Sequence, residues 1–201
     1  MDRRQLLALS CAVSATLASR VGFAESPPPA AAGAEALALL KRGGVVLAMR
    51  HARAPGTFDP PGFKLGECST QRNLSEDGRH QARALGQRLK AAGLTPAQVR
   101  SSPWCRCMDT ATLAFGRVQA WPALGSPEGV DAATYAQSLD TLRRSLAEAA
   151  RRPGEFEVWV THMFVLSALV NTDTASAEGL VLGLDAKGQP TVLARLETPY
   201  R

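Results

Sequence analysis

The sequence predicts a single α/β domain of three layers, in which helices flank a mostly parallel β-sheet on both sides. The main observation is that short apolar runs of strand length alternate with segments of helical periodicity along the chain. Parallel strands need a long crossover, usually a helix, so this alternation favours a parallel sheet. The composition agrees, because 201 residues that are 45% hydrophobic and 20% charged can build one sizeable core.

The domain is predicted to open with a helix and a buried strand. Residues 35–42 have helical spacing and are followed by Gly43 and Gly44, and glycine commonly follows the last turn of a helix. The apolar run 45–49 that comes next has the length and the continuous hydrophobicity of a strand that is buried on both faces.

A long loop and a second helix follow this strand. Residues 54–73 contain several prolines and glycines, and a loop of this length inside a compact domain usually serves a function. Helix 78–92 is predicted from the apolar positions on one of its faces, with Ser75 shortly before its start and Gly93 at its end.

The alternation of strands and helices continues to the end of the chain. Pro103 separates a strand from the helix after it, and a turn at 185–188 joins the two final strands. The remaining predicted elements are strand 99–102, helix 105–115, strand 118–121, helix 135–150, strand 157–161, helix 164–170 and strands 180–184 and 191–196.

Charged and polar side chains follow three of the predicted strands. Arg50 and His51 come directly after the first strand, Ser102 and Arg106 accompany the second, and His162 follows a later one. Ligands of open α/β sheets bind beyond the carboxyl ends of the strands. A buried charge must be compensated by a partner, so this placement predicts that a bound anion compensates the arginines.

The N-terminal segment predicts export. Residues 1–24 start with basic side chains, continue into an apolar run of small residues and end at Ala24, as a cleavable secretory signal peptide does. The apolar run 6–18 is shorter than the roughly 20 residues that cross a bilayer, which argues against a membrane anchor. We therefore expect a periplasmic or secreted protein without a membrane span after signal cleavage.

Two features leave the route of export open. Arg3 and Arg4 fit a bacterial twin-arginine signal, although they also satisfy an ordinary basic start. Cys11 would fit lipoprotein processing, but the apolar segment before it is very short. Beyond the signal, a linker rich in proline and alanine is predicted over 25–34 and the folded domain over 35–201.

The mature chain would be mildly basic. Removing residues 1–24 takes away three arginines and one aspartate, which lowers the formal net charge from +5 to +3. This balance suits an anionic substrate. No aromatic residues interleave the arginine pairs at 143–144 and 151–152, so a nucleic-acid partner is not expected.

Three cysteines remain after cleavage, and an odd number in an oxidising compartment predicts one disulfide and one free thiol. Cys68 is expected to pair with Cys105 or Cys107, and the sequence leaves this choice open. The spacing of Cys105 and Cys107 does not fit a usual zinc site and no second ligand pair lies nearby, so no metal site is predicted.

Four motifs occur in a fixed order: RHAR at 50–53, NLSEDGRHQARALGQRL at 73–89, SSPWCRCMDTA at 101–111 and VTH at 160–162. In this order and spacing they resemble the histidine phosphatase superfamily, whose fold is called phosphoglycerate-mutase-like. The resemblance extends over residues 45–162. The segment ECSTQRNLS at 67–75 further resembles small secreted bacterial members of the superfamily.

The resemblance implies a phosphatase that works through a phosphohistidine intermediate, without a metal ion or another cofactor. His51 would be the nucleophile, because a neutral imidazole nitrogen can attack phosphorus and later depart. Arg50 and Arg106 would grip the phosphoryl oxygens, a task suited to planar guanidinium groups, while His162 would donate a further hydrogen bond.

The general acid has more than one candidate, of which Glu128 is preferred. It must reach the leaving oxygen, and Glu128 and Asp131 lie in the loop after the third strand, where many relatives carry this acid. Glu178 is the other candidate, since small relatives carry an acidic residue near that point, and it is also a candidate substrate contact.

Further residues are interpreted beside these motifs. Ala52 replaces the glycine that usually follows the histidine in the family, and its small side chain should still let a phosphate approach. Arg53 and Arg72 are candidate substrate contacts, although Arg72 could equally be a solvated charge. His80 is expected on the surface of its helix. The core is expected to hold Trp104, Trp121 and Trp159.

These observations together predict a phosphomonoester hydrolase. Its partner would be a small phosphorylated metabolite or saccharide, and the loop 54–73 would set the specificity. The alternative is a non-catalytic or feebly active anion-binding protein of the same fold. Mutase activity belongs to cytoplasmic metabolism and fits poorly with export, and the sequence leaves the oligomeric state open.

Overall fold

The computed structural model describes residues 29–128 and 130–198, and within these ranges a six-stranded sheet carries helices on both faces. The helices are α1 (Pro29–Arg42), α2 (Glu76–Ala91), α3 (Cys105–Phe115), α4 (Ala132–Ala149) and α5 (Met163–Val170). The strands are β1 (Val45–Arg50), β2 (Gln98–Ser101), β3 (Gln119–Ala120), β4 (Phe156–Thr161), β5 (Gly179–Leu184) and β6 (Pro190–Leu196). The predicted signal peptide, residues 1–24, lies outside the described residues.

The strands follow the order β3-β2-β4-β1-β5-β6 across the sheet. The pairs β3–β2, β2–β4 and β4–β1 are parallel, whereas β5 pairs antiparallel with both β1 and β6. The antiparallel part holds the two final strands, whose connecting turn is too short for a parallel crossover. The predicted three-layer α/β domain with a mostly parallel sheet is thus confirmed.

The two faces of the sheet bury alternate residues of each central strand. In β1, Leu47 and Met49 belong to the core that α1, α2 and α3 cover, whereas Val46 and Ala48 belong to the core under α4 and α5. Successive side chains of a strand point to opposite faces, which produces this division. Because helices cover both faces, β1 is a continuous apolar run from Val45 to Met49, and only its last residue, Arg50, is charged.

Helix α1 begins earlier than the sequence analysis predicted. It starts at Pro29, so the second half of the predicted linker 25–34 belongs to the helix. Proline fits the first helical position, because the N–H that it lacks would have no partner there, and the alanines that follow are strong helix formers. No helix in the described ranges is long and apolar enough to cross a membrane.

Candidate active site

Three parallel strands end side by side at one edge of the sheet. Arg50 at the end of β1 is in register with Thr161 of β4, and Ser101 at the end of β2 is in register with Val160. The residues that come directly after these strands therefore meet at this edge, as expected of an open α/β sheet. A cleft of about 140 Å³ lies there. Its lining includes Arg50, His51, Arg72, Arg106, Glu128 and His162.

Hydrogen bonds assign one tautomer to the His51 ring. Its Nδ1–H donates to the backbone oxygen of Ala52 at 2.8 Å, and its Nε2 accepts from Nε of Arg106 at 3.3 Å. The unprotonated nitrogen is therefore Nε2. Burial lowers the pKa of His51 to about 3, and the charges of neighbouring arginines, first among them Arg106, lower it as well. His51 is consequently a neutral base with a lone pair on Nε2 at neutral pH.

His162 takes the opposite tautomer on the other side of Arg106. Its Nε2–H donates to Oγ of Ser102 at 2.8 Å, and its Nδ1 accepts from Nη2 of Arg106 at 3.5 Å. Burial lowers the pKa of His162 well below its usual value, and the charge of Arg106 acts in the same direction. The two imidazole rings, whose centroids are 5.6 Å apart, thus both turn a lone pair toward one guanidinium group.

A buried carboxylate that the sequence analysis did not single out holds this guanidinium group. Asp59, in the loop 54–73, accepts two hydrogen bonds from Nη1 of Arg106, both at 2.9 Å. Its oxygens also accept from the backbone N–H of Arg72 at 2.8 Å and from the indole N–H of Trp104 at 3.1 Å. The side chain of Asp59 is fully buried, so these donors supply the compensation that a buried charge needs.

Arg50 and Arg72 add two more guanidinium groups to the lining of the cleft. Burial lowers the pKa of each, and the charge of Arg106 lowers both further. Among the described residues, the Nε atoms of Arg50 and Arg72 are buried and have no hydrogen-bond partner. A cleft that collects three arginines is electrostatically suited to an anion, because such an ion would offset their mutual repulsion.

A disulfide and a set of hydrogen bonds stabilise the long loop that carries Asp59 and Arg72. A disulfide joins Cys68 to Cys105 at the start of α3, which settles the choice that the sequence left open. Nη1 of Arg72 donates to the backbone oxygens of residues 54, 55 and 56 at 2.9, 3.0 and 2.6 Å. Cys107 is the buried free thiol, and burial raises its pKa to about 12.

The structure separates the three candidate acids. Glu128 lines the cleft, and its backbone N–H donates to Oγ of Ser126 at 3.3 Å. Asp131 caps α4 by accepting from the backbone N–H groups of residues 133 and 134, so its carboxylate is used in the helix. Glu178 forms an ion pair with Arg195 and accepts from the backbone N–H of Ala175 at 2.7 Å. Glu178 is not among the residues that line the cleft.

The other interpreted residues lie outside the cleft. Arg53 points its side chain to solvent beside Asp77, with 3.5 Å between the charged groups, whereas its backbone oxygen packs on α2. A Cβ at Gly78 would lie 2.1 Å from that oxygen, so glycine permits this close approach. His80 is exposed beside Glu76. Two of the expected core tryptophans, Trp104 and Trp159, are buried, and Trp121 is partly buried against Trp159.

Comparisons with known proteins support the α/β fold and indicate a family for part of the chain. Residues 46–125 match the family model described as the histidine phosphatase superfamily, branch 1. Over these residues, which include His51, Asp59 and Arg106, the chain is similar to that superfamily. No curated protein matches the chain significantly.

Solved structures with similar folds share little sequence with this chain. The protein histidine phosphatase SixA complexed with tungstate is 19% identical, covering 75% of this chain and 95% of that one at a TM-score of 0.50. The product of the open reading frame Rv3214 from Mycobacterium tuberculosis is 18% identical. The match covers 77% of this chain and 97% of that one, at a TM-score of 0.57. A mutant phosphoserine phosphatase from Entamoeba histolytica, in complex with phosphoserine, is 13% identical. The match covers 78% of this chain and 98% of that one, at a TM-score of 0.56. These likenesses concern the fold.

Proposed function

We propose that the protein is a phosphomonoester hydrolase that forms a phosphohistidine intermediate on His51. The observation that carries this proposal is the state of that ring: a neutral imidazole whose Nε2 lone pair is free of a proton and lies against Arg106. Nucleophilic catalysis requires an unprotonated nitrogen, and the cleft maintains one without a neighbouring general base. Three guanidinium groups around the same cleft supply the charge that a phosphate ester would need.

In the first step, Nε2 of His51 attacks phosphorus and forms a P–N bond while the P–O bond to the alcohol breaks. Glu128, the candidate acid that lines the cleft, would give its proton to the departing oxygen. The bond from Nδ1–H to the oxygen of Ala52 stabilises the positive charge that the imidazole ring acquires.

In the second step, a water molecule attacks the phosphorus atom and the P–N bond breaks. The carboxylate of Glu128 accepts a proton from this water, so the acid of the first step is the base of the second. Inorganic phosphate leaves, and the electron pair of the P–N bond returns to Nε2. The cycle restores both side chains to their initial states.

Arginine and histidine side chains would stabilise the transferring group without a metal ion. Arg50, Arg72 and Arg106 can bind its equatorial oxygens, and Arg106 already has its Nε–H and Nη2–H directed toward the site. Burial and, after it, the charge of Arg106 lower the pKa of His162. A bound dianion would offset the charge of Arg106, which would help this ring to take up a proton and donate to phosphate.

The substrate class proposed here is a small phosphorylated metabolite or saccharide. The cleft, with a volume of about 140 Å³, has room for a phosphate group and a few further atoms, which supports this proposal. Export by a signal peptide would place this activity in the periplasm or outside the cell, as in small secreted bacterial members of the superfamily.

The test is a comparison of acid and alkaline quenches after mixing with a radiolabelled phosphomonoester. Phosphoimidazole is labile to acid and survives alkali, so label should stay on the protein only after the alkaline quench. His51→Asn should carry no label, whereas His80→Asn, which changes an exposed histidine outside the cleft, should behave as wild type. Saturable binding of inorganic phosphate without label or turnover would instead support the anion-binding alternative.

A further inference from the structure

Exposed apolar side chains gather around the mouth of the cleft. Among the described residues, five large apolar side chains are more than a third exposed: Phe58 (64%), Leu65 (51%), Leu193 (39%), Val130 (38%) and Phe164 (38%). Leu193 lies on strand β6, and the other four lie beside the cleft or the pocket next to it. Single exposed apolar residues are ordinary, but a cluster beside a binding cleft indicates a recognition surface.

A second pocket, here called the side pocket, adjoins the cleft and has a volume of about 180 Å³. Ser126 lines both cavities. Trp104 lines the side pocket and contacts the ring of His162 edge-on, with 5.2 Å between the ring centroids. Leu65 and Val130 complete much of the apolar lining. The two cavities therefore share part of their lining and lie side by side.

The side pocket offers little to a polar ligand. No charged side chain lines it among the described residues, and its hydroxyl groups already take part in hydrogen bonds within the chain. Oγ of Ser138 donates to a backbone oxygen at 3.1 Å, and the hydroxyl of Tyr135 donates to the oxygen of Phe164 at 3.2 Å. Thr134 donates to Asp131 at 2.7 Å, and Ser126 accepts from a backbone N–H. Since three of these four hydroxyl groups have already used their proton, a polyhydroxylated group would replace only part of the water contacts that it loses there.

The rim of the cleft is apolar as well. Phe164 lines the cleft, two residues after His162, and its ring lies nearly parallel to that of Phe58, with an interplanar angle of 7° and 6.5 Å between the centroids. Since the cleft itself has room for little more than the phosphate, the remainder of a substrate must lie against the side pocket and this rim.

The geometry points to a substrate whose leaving group has an apolar part, an aryl or alkyl group bound in the side pocket beside Trp104, Leu65 and Val130. This inference rests on the proposed phosphatase function and narrows it, because it favours phosphate monoesters of apolar alcohols over phosphorylated saccharides. Burial of apolar surface contributes roughly 25 cal/mol per Å², which suffices to rank substrates with equal chemical reactivity.

The test compares kcat/KM for n-propyl phosphate, 3-phenylpropyl phosphate and glycerol 1-phosphate. The leaving alcohols of the propyl and phenylpropyl esters are similar in acidity, so the ratio of their kcat/KM values reports mainly on binding. We expect the phenylpropyl ester to exceed the propyl ester by about tenfold or more, since one group filling an apolar pocket typically contributes this much. Glycerol 1-phosphate should not exceed the propyl ester.

Two variants test whether the side pocket causes the preference for the phenylpropyl ester over the propyl ester. Leu65→Ser combined with Val130→Ser should bring the phenylpropyl-to-propyl ratio down toward one. Leu193→Ser, which changes an exposed leucine on β6, should keep the wild-type ratio. A ratio near one in the wild type, or an unchanged ratio in the double variant, would overturn the side-pocket assignment alone. Failure to hydrolyse any of the three esters would instead refute the proposed function.

Discussion

Two buried carboxylates of this protein, Asp59 and Glu157, each bind an arginine and the N–H of a tryptophan, yet only one of them lies at the cleft. Glu157, on β4, accepts from Arg100 at 2.9 Å and from the indole N–H of Trp159 at 3.1 Å, and it also binds Arg152. Asp59 accepts from Arg106 and from Trp104 at comparable distances. Both carboxylates are buried, whereas the side chains of Arg100 and Arg152 are more exposed than that of Arg106.

The difference lies in what the arginines do with their remaining N–H groups. Arg100 donates from Nε to Gln98 at 2.8 Å and from Nη1 to Ser145 at 3.1 Å, and its guanidinium group lies 4.3 Å from the ring centroid of Trp121. Arg106 directs its remaining groups to nitrogens of two neutral histidines at 3.3 and 3.5 Å, in front of a cavity. Each nitrogen of Arg100 therefore donates to an oxygen of its own chain. Arg106, in contrast, can exchange its long bonds to the histidines for bonds to oxygens of a phosphate.

The largest expected effect separates the two arginines. Arg106→Lys should lower kcat/KM for phosphomonoesters by about 10²–10³-fold, because lysine keeps the charge but loses the planar pair of donors. Arg100→Lys should leave kcat/KM within about threefold of wild type, since Arg100 lies outside the cleft. Steady-state kinetics on both variants checks this prediction. Equal losses of kcat/KM in the two variants would show that the Arg106 cluster has no greater role in catalysis than the Arg100 cluster.

The next effect concerns stability. Glu157→Gln should reduce the free energy of unfolding by about 3 kcal/mol, because Arg100 and Arg152 would lose their buried counter-charge. kcat of the folded variant should stay close to wild type. Urea unfolding followed by tryptophan fluorescence measures the first quantity, and a variant as stable as wild type would show that this cluster contributes little to the fold.

A third effect is the pH dependence that the buried histidine ring imposes on stability. The pKa of His51 is about 3 in the folded chain and about 6.5 when unfolded, so below pH 6.5 the unfolded state binds the additional proton. Stability should therefore fall as the pH falls from 6.5 toward 3, with His162 acting in the same direction.

Comparison with His51→Asn isolates the contribution of the His51 ring to the pH dependence of stability. Asparagine can still donate to the oxygen of Ala52 but does not titrate. Between pH 8 and pH 5 the free energy of unfolding should fall by about 2 kcal/mol more in the wild type than in the variant. This value follows because pH 5 lies about 1.5 units below the pKa of the unfolded histidine, and each unit contributes about 1.4 kcal/mol. Parallel losses in the two proteins would contradict the depressed pKa of His51.

Local patterns in the sequence predicted the sheet and most of the convergence at its edge. The apolar runs mark β1 and β4, and the rule that parallel strands end at one edge brings His51 and His162 together. The start of α1 was misplaced, because a proline followed by alanines suits both a linker and a first helical turn. Strand β3 is shorter than its apolar run suggested, with only Gln119–Ala120 paired.

Contacts made by loops could not be predicted in this way, since loops lack a periodicity that reveals which side chains face inward. The sequence favoured Glu128 over Glu178 as the acid without excluding either, and only tertiary contacts distinguish the cleft residue from the partner of Arg195. The pairing of Cys68 with Cys105 likewise depends on how the long loop folds onto α3. Asp59 left one weak signal, as the sole acidic residue between His51 and Glu67.

The smallest effect tests whether Asp59 positions Arg106 as the comparison of the two clusters suggests. Asp59→Asn keeps the shape and one acceptor oxygen but loses the charge, so Arg106 should be held less firmly and kcat should fall by about tenfold. KM should change little, because Arg50 and Arg72 still face the cleft. Asp59→Glu should restore part of kcat if the charge is what matters. A rise in KM with kcat unchanged would show instead that Asp59 affects only the binding of substrate.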